Sequence, residues 1–186
     1  MGWDPDQRPA ASRVDESHYR FVVLGDSNWD YRKLNFDADV ALTDKFHHGL
    51  INATDPDLSA FFKHGGKLLQ FHGWNDQQIS PFNSINYYKS VQARLGNVMK
   101  LGDAYRLFMA PGLMHCSGGE GANQFNPTAV LEQWREFNIV PERIIAEHVT
   151  DNIVDNTRPL CPYPEVAVYK GSGSIHDAGS FSCKAP

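Results

Sequence analysis

Two residues of this chain have the type and placement for proton chemistry, Asp76 and His115. Asp76 closes the stretch Lys67-Leu-Leu-Gln-Phe-His-Gly-Trp-Asn-Asp76, in which a short apolar run enters a turn. His115 stands in Ala110-Pro-Gly-Leu-Met-His-Cys-Ser-Gly-Gly119, where the apolar run Tyr105 to Ala110 breaks into proline and glycines. An imidazole exchanges protons near neutral pH. A carboxylate on its Nδ1–H fixes the tautomer and stabilises the imidazolium formed when Nε2 takes a proton from a hydroxyl. An aspartate and then a histidine, each after its own strand, match the second and third parts of a nucleophile–acid–base triad. Each also has a plainer explanation: a turn aspartate, and a histidine that satisfies loop hydrogen bonds.

The nucleophile of such a triad should precede the acid, on a strand-to-helix elbow of the G-x-S-x-G type. No complete elbow occurs. Ser27 has Gly25 before it, but Trp29 stands where the second glycine should be. Ser12 and Ser17 have no glycine nearby, Ser117 lies beside the candidate base, and Ser172 and Ser174 lie in a tail loop. His72 reads as a histidine bonded to backbone, with no chemistry assigned. His47-His48 reads as a helix face. Asp37, Asp39 and Asp44 are loosely spaced like an acidic metal site, yet lack the glycine turn and bidentate glutamate of an EF-hand. No metal or cofactor is expected within this chain.

The elements that must position Asp76 and His115 follow from pattern and punctuation. His18 to Leu24 is aromatic and β-branched and predicts a strand. Asp37 or Asp39 can cap a helix carrying Val40, Ala41 and Phe46. Asp55-Pro56 opens a short helix with Leu58, Phe61 and Phe62 on one face, ended by Gly65-Gly66. Lys67 to Phe71 predicts a strand. Ser80-Pro81 opens a helix striped by Tyr88, Val91 and Leu95, and Tyr105 to Ala110 predicts the next strand. Asn126-Pro127 caps a helix carrying Val130, Trp134 and Phe137, and Ile144 to Val149 predicts one more strand. The tail from Asp151 reads as turns. Strands alternating with helices indicate a mostly parallel sheet, whose active-site loops lie beyond the strands' carboxyl ends.

The 186 residues suffice for one domain with a core, and the net charge of -5 excludes a basic nucleic-acid surface. No apolar run approaches the ~20 residues of a membrane span, so no membrane partner is expected. The sequon Asn52-Ala-Thr54 reads as a chance match in a loop. Cys161 and Cys183 bracket the last segment, and a disulfide there would pin the tail. Cys116 is left over, as a free thiol or one with a missing partner.

Gly66-Lys-Leu-Leu-Gln-Phe-His-Gly-Trp-Asn-Asp76, with Ile79-Ser-Pro81 and Asn86-Tyr-Tyr88, resembles the tannase/feruloyl esterase family of α/β-hydrolases. Pro111-Gly-Leu-Met-His-Cys-Ser-Gly-Gly119 resembles that family's histidine loop. Arg158-Pro-Leu-Cys-Pro-Tyr-Pro164, Tyr169-Lys-Gly-Ser-Gly173 and Phe181-Ser-Cys183 resemble its C-terminal end, and Asn28-Trp29 and Asn35-Phe-Asp-Ala-Asp39 the last part of its lid. The resemblance implies an α/β fold: residues 1–54 as the end of a lid and a return segment, and 55–186 as the C-terminal part of the catalytic domain.

It further implies that Asp76 is the triad acid and His115 the base, and that Cys116 pairs with a cysteine beside the nucleophilic serine. Cys161–Cys183 would be the family's C-terminal disulfide. The implied substrate is an aromatic (phenolic) acid ester, with Gln78 and Ile79 placed by analogy near its pocket. The implied setting is secreted or periplasmic. Serine, oxyanion hole, most of the lid and the lid's calcium loop would lie in a missing N-terminal part of the same enzyme. The chain alone would then be inactive, with an unpaired strand edge that invites self-association. Two other readings stand beside this one: a non-catalytic remnant or partner-binding α/β domain, and one half of a split esterase.

Overall fold

A computed structural model describes residues 16–46 and 52–186 of the chain. It divides into two compact units, Met1–Thr54 and Asp55–Pro186. The first contains a π-helical turn (His18–Val23), a 3-10 turn (Tyr31–Lys33) and helix α1 (Ala38–Lys45). The strand predicted over His18 to Leu24 is thus corrected to a helical turn. Its backbone pairs within itself, Leu24 N–H donating to Tyr19 O at 2.9 Å. Side chains reinforce the coil: Glu16 and Arg20 form a 2.6 Å ion pair one turn apart, and Tyr19 stacks on Trp29 with ring centroids 5.2 Å apart. Asp37 stands at the N-cap of helix α1 as expected, but its side chain makes no capping hydrogen bond. Asn35 Oδ1 accepts from the N–H groups of Asp37 and Ala38, at 3.0 and 2.9 Å. His47 and His48 lie outside the described residues.

The second unit holds helices α2 (Ser59–Lys63), α3 (Pro81–Leu95) and α4 (Pro127–Phe137) and strands β1 (Leu68–Gly73), β2 (Tyr105–Ala110), β3 (Ile144–Thr150), β4 (Ile153–Leu160), β5 (Val166–Tyr169) and β6 (Phe181–Lys184). Helix α2 starts later than Asp55-Pro56 suggests, because Asp57 Oδ1 accepts from Ser59 N–H at 3.1 Å. Its Leu58 and Phe62 side pack on Val91, Leu95, Leu101 and Tyr105, while Phe61 stays exposed, so the expected three-residue face is narrower. Pro81 opens α3, which buries Ser84, Ile85, Val91 and Leu95. Asn126 Oδ1 accepts from Ala129 N–H at 3.0 Å to start α4. Trp134 is fully buried there, but Phe137 is exposed on the last turn rather than in the stripe.

Strands β1 and β2 run parallel, from Leu68 opposite Tyr105 to Gly73 opposite Ala110, with α3 in the crossover. Every residue of β2 except Arg106 is buried, which accounts for its near-continuous apolar run. The other strands pair antiparallel, β3 with β4 and β5 with β6, so the mostly parallel sheet expected from the sequence is one parallel pair with two antiparallel pairs beside it. The tail read as turns carries three of those strands. β3 turns into β4 through Asp151 and Asn152, both at positive φ (50° and 62°), the conformation of a tight two-residue hairpin. Phe108, Ala110, Leu113, Ala122, Ile144, Ala146 and Leu160 form one core, joining β2 to the β3–β4 hairpin. The segment after β4 returns alongside β2, where Tyr163 N–H donates to Leu107 O at 2.7 Å.

Candidate active site

Parallel pairing brings the carboxyl ends of β1 and β2 side by side, and the loops leaving them interlock. Trp74 N–H donates to Ala110 O and Asn75 N–H to Leu113 O, both at 3.0 Å. Gly73 lies directly against the other loop: a Cβ there would run into the Leu113 carbonyl oxygen. The second loop folds back on itself through Gly112 (φ 77°), and Met114 N–H donates to Gly118 O at 3.1 Å. This turn lifts His115 over Asp76.

His115 Nδ1 lies 2.9 Å from Asp76 Oδ2. A carboxylate oxygen only accepts, so Nδ1 carries the proton and a neutral His115 has a bare Nε2. The Asp76 side chain is 6% exposed and that of His115 34% exposed. Oδ1 of Asp76 accepts from the backbone N–H of Gln78 and Ile79, at 2.8 and 2.9 Å, and Oδ2 also meets His72 Nε2 at 3.1 Å. Burial alone would push this carboxyl group up. The Ile79 N–H, the His115 ring and the Gln78 N–H outweigh it and hold Asp76 far below the usual carboxylate range. Asp76 therefore stays ionised and can hold an imidazolium at His115.

A cleft of about 180 Å³ opens at the pair, lined by Phe71, His72, Gly73, Asp76, Ile79, Leu113, His115 and Cys116. It is smaller than the ~300 Å³ and above of ordinary small-molecule pockets. Ile79 lines it, whereas Gln78 is not among the lining residues and faces Asp76 through its backbone N–H. Cys161 and Cys183 are joined in a disulfide, and Cys116 is an exposed free thiol at positive φ (63°). Ser174 Oγ accepts from His176 N–H at 3.1 Å in the β5–β6 loop, and Ser117 sits on the histidine's own loop. Among the described residues no group of three or more His, Cys, Asp or Glu side chains could hold a metal ion. Asp39 instead accepts from Asn35 N–H at 2.9 Å. No helix among the described residues is long and apolar enough to cross a membrane.

The residue that sequence reasoning passed over is His72. It is not satisfied by backbone alone: it joins Asp76 on one side and Ser84 on the other. A strand-end histidine four positions before a turn aspartate was the available signal.

A second carboxylate–imidazole pair lies at the tip of the β3–β4 hairpin. His148 Nδ1 is 2.7 Å from Asp155 Oδ1, and Thr150 Oγ1 donates to Asp155 Oδ2 at 2.6 Å. Here the aspartate side chain is 43% exposed, and neither residue lines the cleft at His115.

Comparison with known proteins agrees with this architecture. The family model described as tannase and feruloyl esterase matches residues 6–184. The chain is 41% identical over 138 residues to the mono(2-hydroxyethyl) terephthalate hydrolase of Piscinibacter sakaiensis, covering 72% of this chain and 22% of that protein. It is 37% identical over 184 residues to a probable feruloyl esterase B-2 of Neosartorya fischeri, covering 89% of this chain and 35% of that protein. The crystal structure of an esterase from Aspergillus oryzae superimposes with a TM-score of 0.79 at 36% identity, covering 91% of this chain and 37% of that one. The chain thus spans about a third or less of the length of these relatives. Over that span its α/β unit has the fold of these esterases, and the chain belongs to the tannase and feruloyl esterase family.

Proposed function

We propose that this chain supplies the acid and the base of a serine carboxylic ester hydrolase acting on aromatic (phenolic) acid esters, with Asp76 as the acid and His115 as the base. One observation carries the reading. A buried carboxylate, saturated by donors, holds Nδ1 of a half-exposed imidazole whose other nitrogen is bare beside a cleft. The names of the relatives, feruloyl esterase and terephthalate monoester hydrolase, supply the substrate class.

The nucleophile is a serine outside this sequence, in an N-terminal part of the same enzyme that also holds the oxyanion donors. Two observations support this: no elbow of the G-x-S-x-G type occurs here, and the chain spans about a third of its relatives. His115 Nε2 takes the serine proton as the serine oxygen bonds to the acyl carbon. The imidazolium, held by Asp76, returns that proton to the departing alcohol. Water then repeats the sequence and releases the acid, so one ester and one water give one acid and one alcohol. Cys116, exposed beside the base, pairs with a cysteine next to that serine and ties the two loops together. Ile79, which lines the cleft, and Gln78 beside it in sequence are the substrate-binding residues of this reading. The Cys161–Cys183 bridge favours an oxidising compartment, secreted or periplasmic.

The test is hydrolysis of methyl ferulate and methyl gallate by the chain alone and by the chain preceded by the nucleophile-bearing part of the Aspergillus oryzae esterase. The chain alone should give no turnover. The assembly should turn over and lose activity in His115→Ala. Turnover by the chain alone that vanishes in His115→Ala would place the nucleophile within this sequence and overturn the reading.

A further inference from the structure

A line of hydrogen bonds runs from the buried face of β2 to the carboxylate beneath His115. The Tyr105 hydroxyl bonds Gln70 Oε1, and Gln70 Nε2 lies 2.9 Å from Ser84 Oγ. Ser84 Oγ lies 2.7 Å from His72 Nδ1, and His72 Nε2 lies 3.1 Å from Asp76 Oδ2 and 3.2 Å from Ile79 O. Ser84 is 8% exposed, the His72 side chain is 11% exposed, and Tyr105 is fully buried. Water therefore competes little for these groups.

The direction of every bond follows from one end. A carboxylate and a carbonyl oxygen can only accept, so both partners of His72 Nε2 require a proton on that nitrogen. A neutral imidazole then has a bare Nδ1, which must accept the hydroxyl proton of Ser84. With its one proton spent, Ser84 Oγ must accept from Gln70 Nε2, and Gln70 Oε1 must accept from Tyr105. All the donors point the same way, toward Asp76.

We propose that His72 is a positioning residue for the catalytic pair: Ser84 holds it as the Nε2–H tautomer, and it donates to the same Asp76 oxygen that holds His115. Asp76 then has two backbone donors on Oδ1 and two imidazole donors on Oδ2. A carboxylate offers about four acceptor positions. With all of them filled, the group cannot rotate away from His115 and has no free position for a proton. Without His72, the two backbone donors still anchor Oδ1, but Oδ2 keeps only His115 and loses the donor that fixes its position against that ring. The proposal rests on the proposed roles of Asp76 and His115.

The experiment compares His72→Gln, His72→Asn, Ser84→Ala and His115→Ala in the chain joined to the nucleophile-bearing part of the Aspergillus oryzae esterase, with methyl ferulate as substrate. Glutamine can place an amide N–H where Nε2 stood. Asparagine reaches Ser84 but not Asp76. We expect His72→Asn to lower kcat by about 10- to 100-fold, as misplacement of a reacting group does, with KM within about twofold. His72→Gln should recover most of that loss. Ser84→Ala should lower kcat by about fivefold, the size of one buried hydrogen bond. His72→Asn with the kcat of the parent, or His72→Gln as slow as His72→Asn, would overturn the proposal while activity still depended on His115. Activity that survives His115→Ala would instead overturn the functional reading. If the variants do not fold or no assembly turns over, the ¹⁵N spectrum of the chain itself decides. A proton on His72 Nε2 with a bare Nδ1 supports the proposal, and the opposite tautomer overturns it.

Discussion

Among the described residues, two aspartates meet the Nδ1 of a histidine at nearly equal distance, Asp76 with His115 and Asp155 with His148, and only Asp76 is buried and held by backbone donors. At the hairpin tip, His148 and Asp155 meet at 2.7 Å, closer than the 2.9 Å between His115 and Asp76. Distance therefore does not separate them. Asp155 is 43% exposed, takes its second bond from a flexible Thr150 hydroxyl, and faces solvent. Asp76 is 6% exposed and is fixed by two backbone N–H groups that cannot rotate away. An exposed pair gains little, because water and salt compete for both partners. A buried, fully bonded carboxylate holds its charge and its orientation while the neighbouring ring changes protonation. The parallel pair β1–β2 provides this at its carboxyl edge; the antiparallel β3–β4 hairpin ends in solvent and does not.

The largest expected effect breaks the first pair and leaves the second. In the assembled esterase, Asp76→Asn should lower kcat on methyl ferulate by about 10⁴-fold, because an amide favours the wrong tautomer of His115. Asp155→Asn in the same assembly should change kcat by less than about twofold. Equal losses from the two would remove the distinction drawn here.

The C-terminal disulfide should affect stability without affecting the cleft. Replacing Cys161 and Cys183 by serine, which opens a bridge across a separation of 22 residues, should cost about 3 kcal/mol of unfolding free energy in a denaturant titration. Neither cysteine lines the cleft at His115, so ester hydrolysis measured well below the unfolding transition should persist.

Gly73→Ala should act at the cleft itself. A Cβ there meets the Leu113 carbonyl, so the two loops must part. We expect a loss of about 1–3 kcal/mol and a disproportionate fall in kcat, read by thermal unfolding alongside kinetics.

The smallest effect concerns pH. The folded-state pKa of Asp76 is lowered, so its contribution is present above the unfolded value of ~3.9 and fades as pH falls through the lower folded value. The Tm gap between the parent and Asp76→Asn should therefore be constant near neutrality and close only below about pH 4. Asp155 is shifted in the same direction by Thr150 and His148, but it is solvent-exposed, and its Asn variant should show a much smaller gap.

Much of the site's frame was legible in the sequence, because its signals are local. The run Tyr105 to Ala110 is buried on both faces, and Ser80-Pro81 and Asn126-Pro127 mark helix starts with a cap residue and a proline. Those elements place Asp76 and His115 after neighbouring strands. What was not legible depends on partners distant in sequence or on backbone chirality. His18 to Val23 has strand-like residues, yet its Glu16–Arg20 pair and Tyr19–Trp29 stack belong to a coil. Strands β4 to β6 alternate poorly, and the turn that creates β4 depends on Asp151 and Asn152 both adopting positive φ. His72 read as bonded to backbone because its side-chain partner Ser84 lies twelve residues on and on another element.

The most direct measurement is the kcat of the assembled esterase with His115→Ala beside His148→Ala. Loss of about 10⁴-fold or more in the first, with the second within about twofold of the parent, is the predicted result. Activity retained in His115→Ala, or lost equally in both, would contradict the assignment of the Asp76–His115 pair.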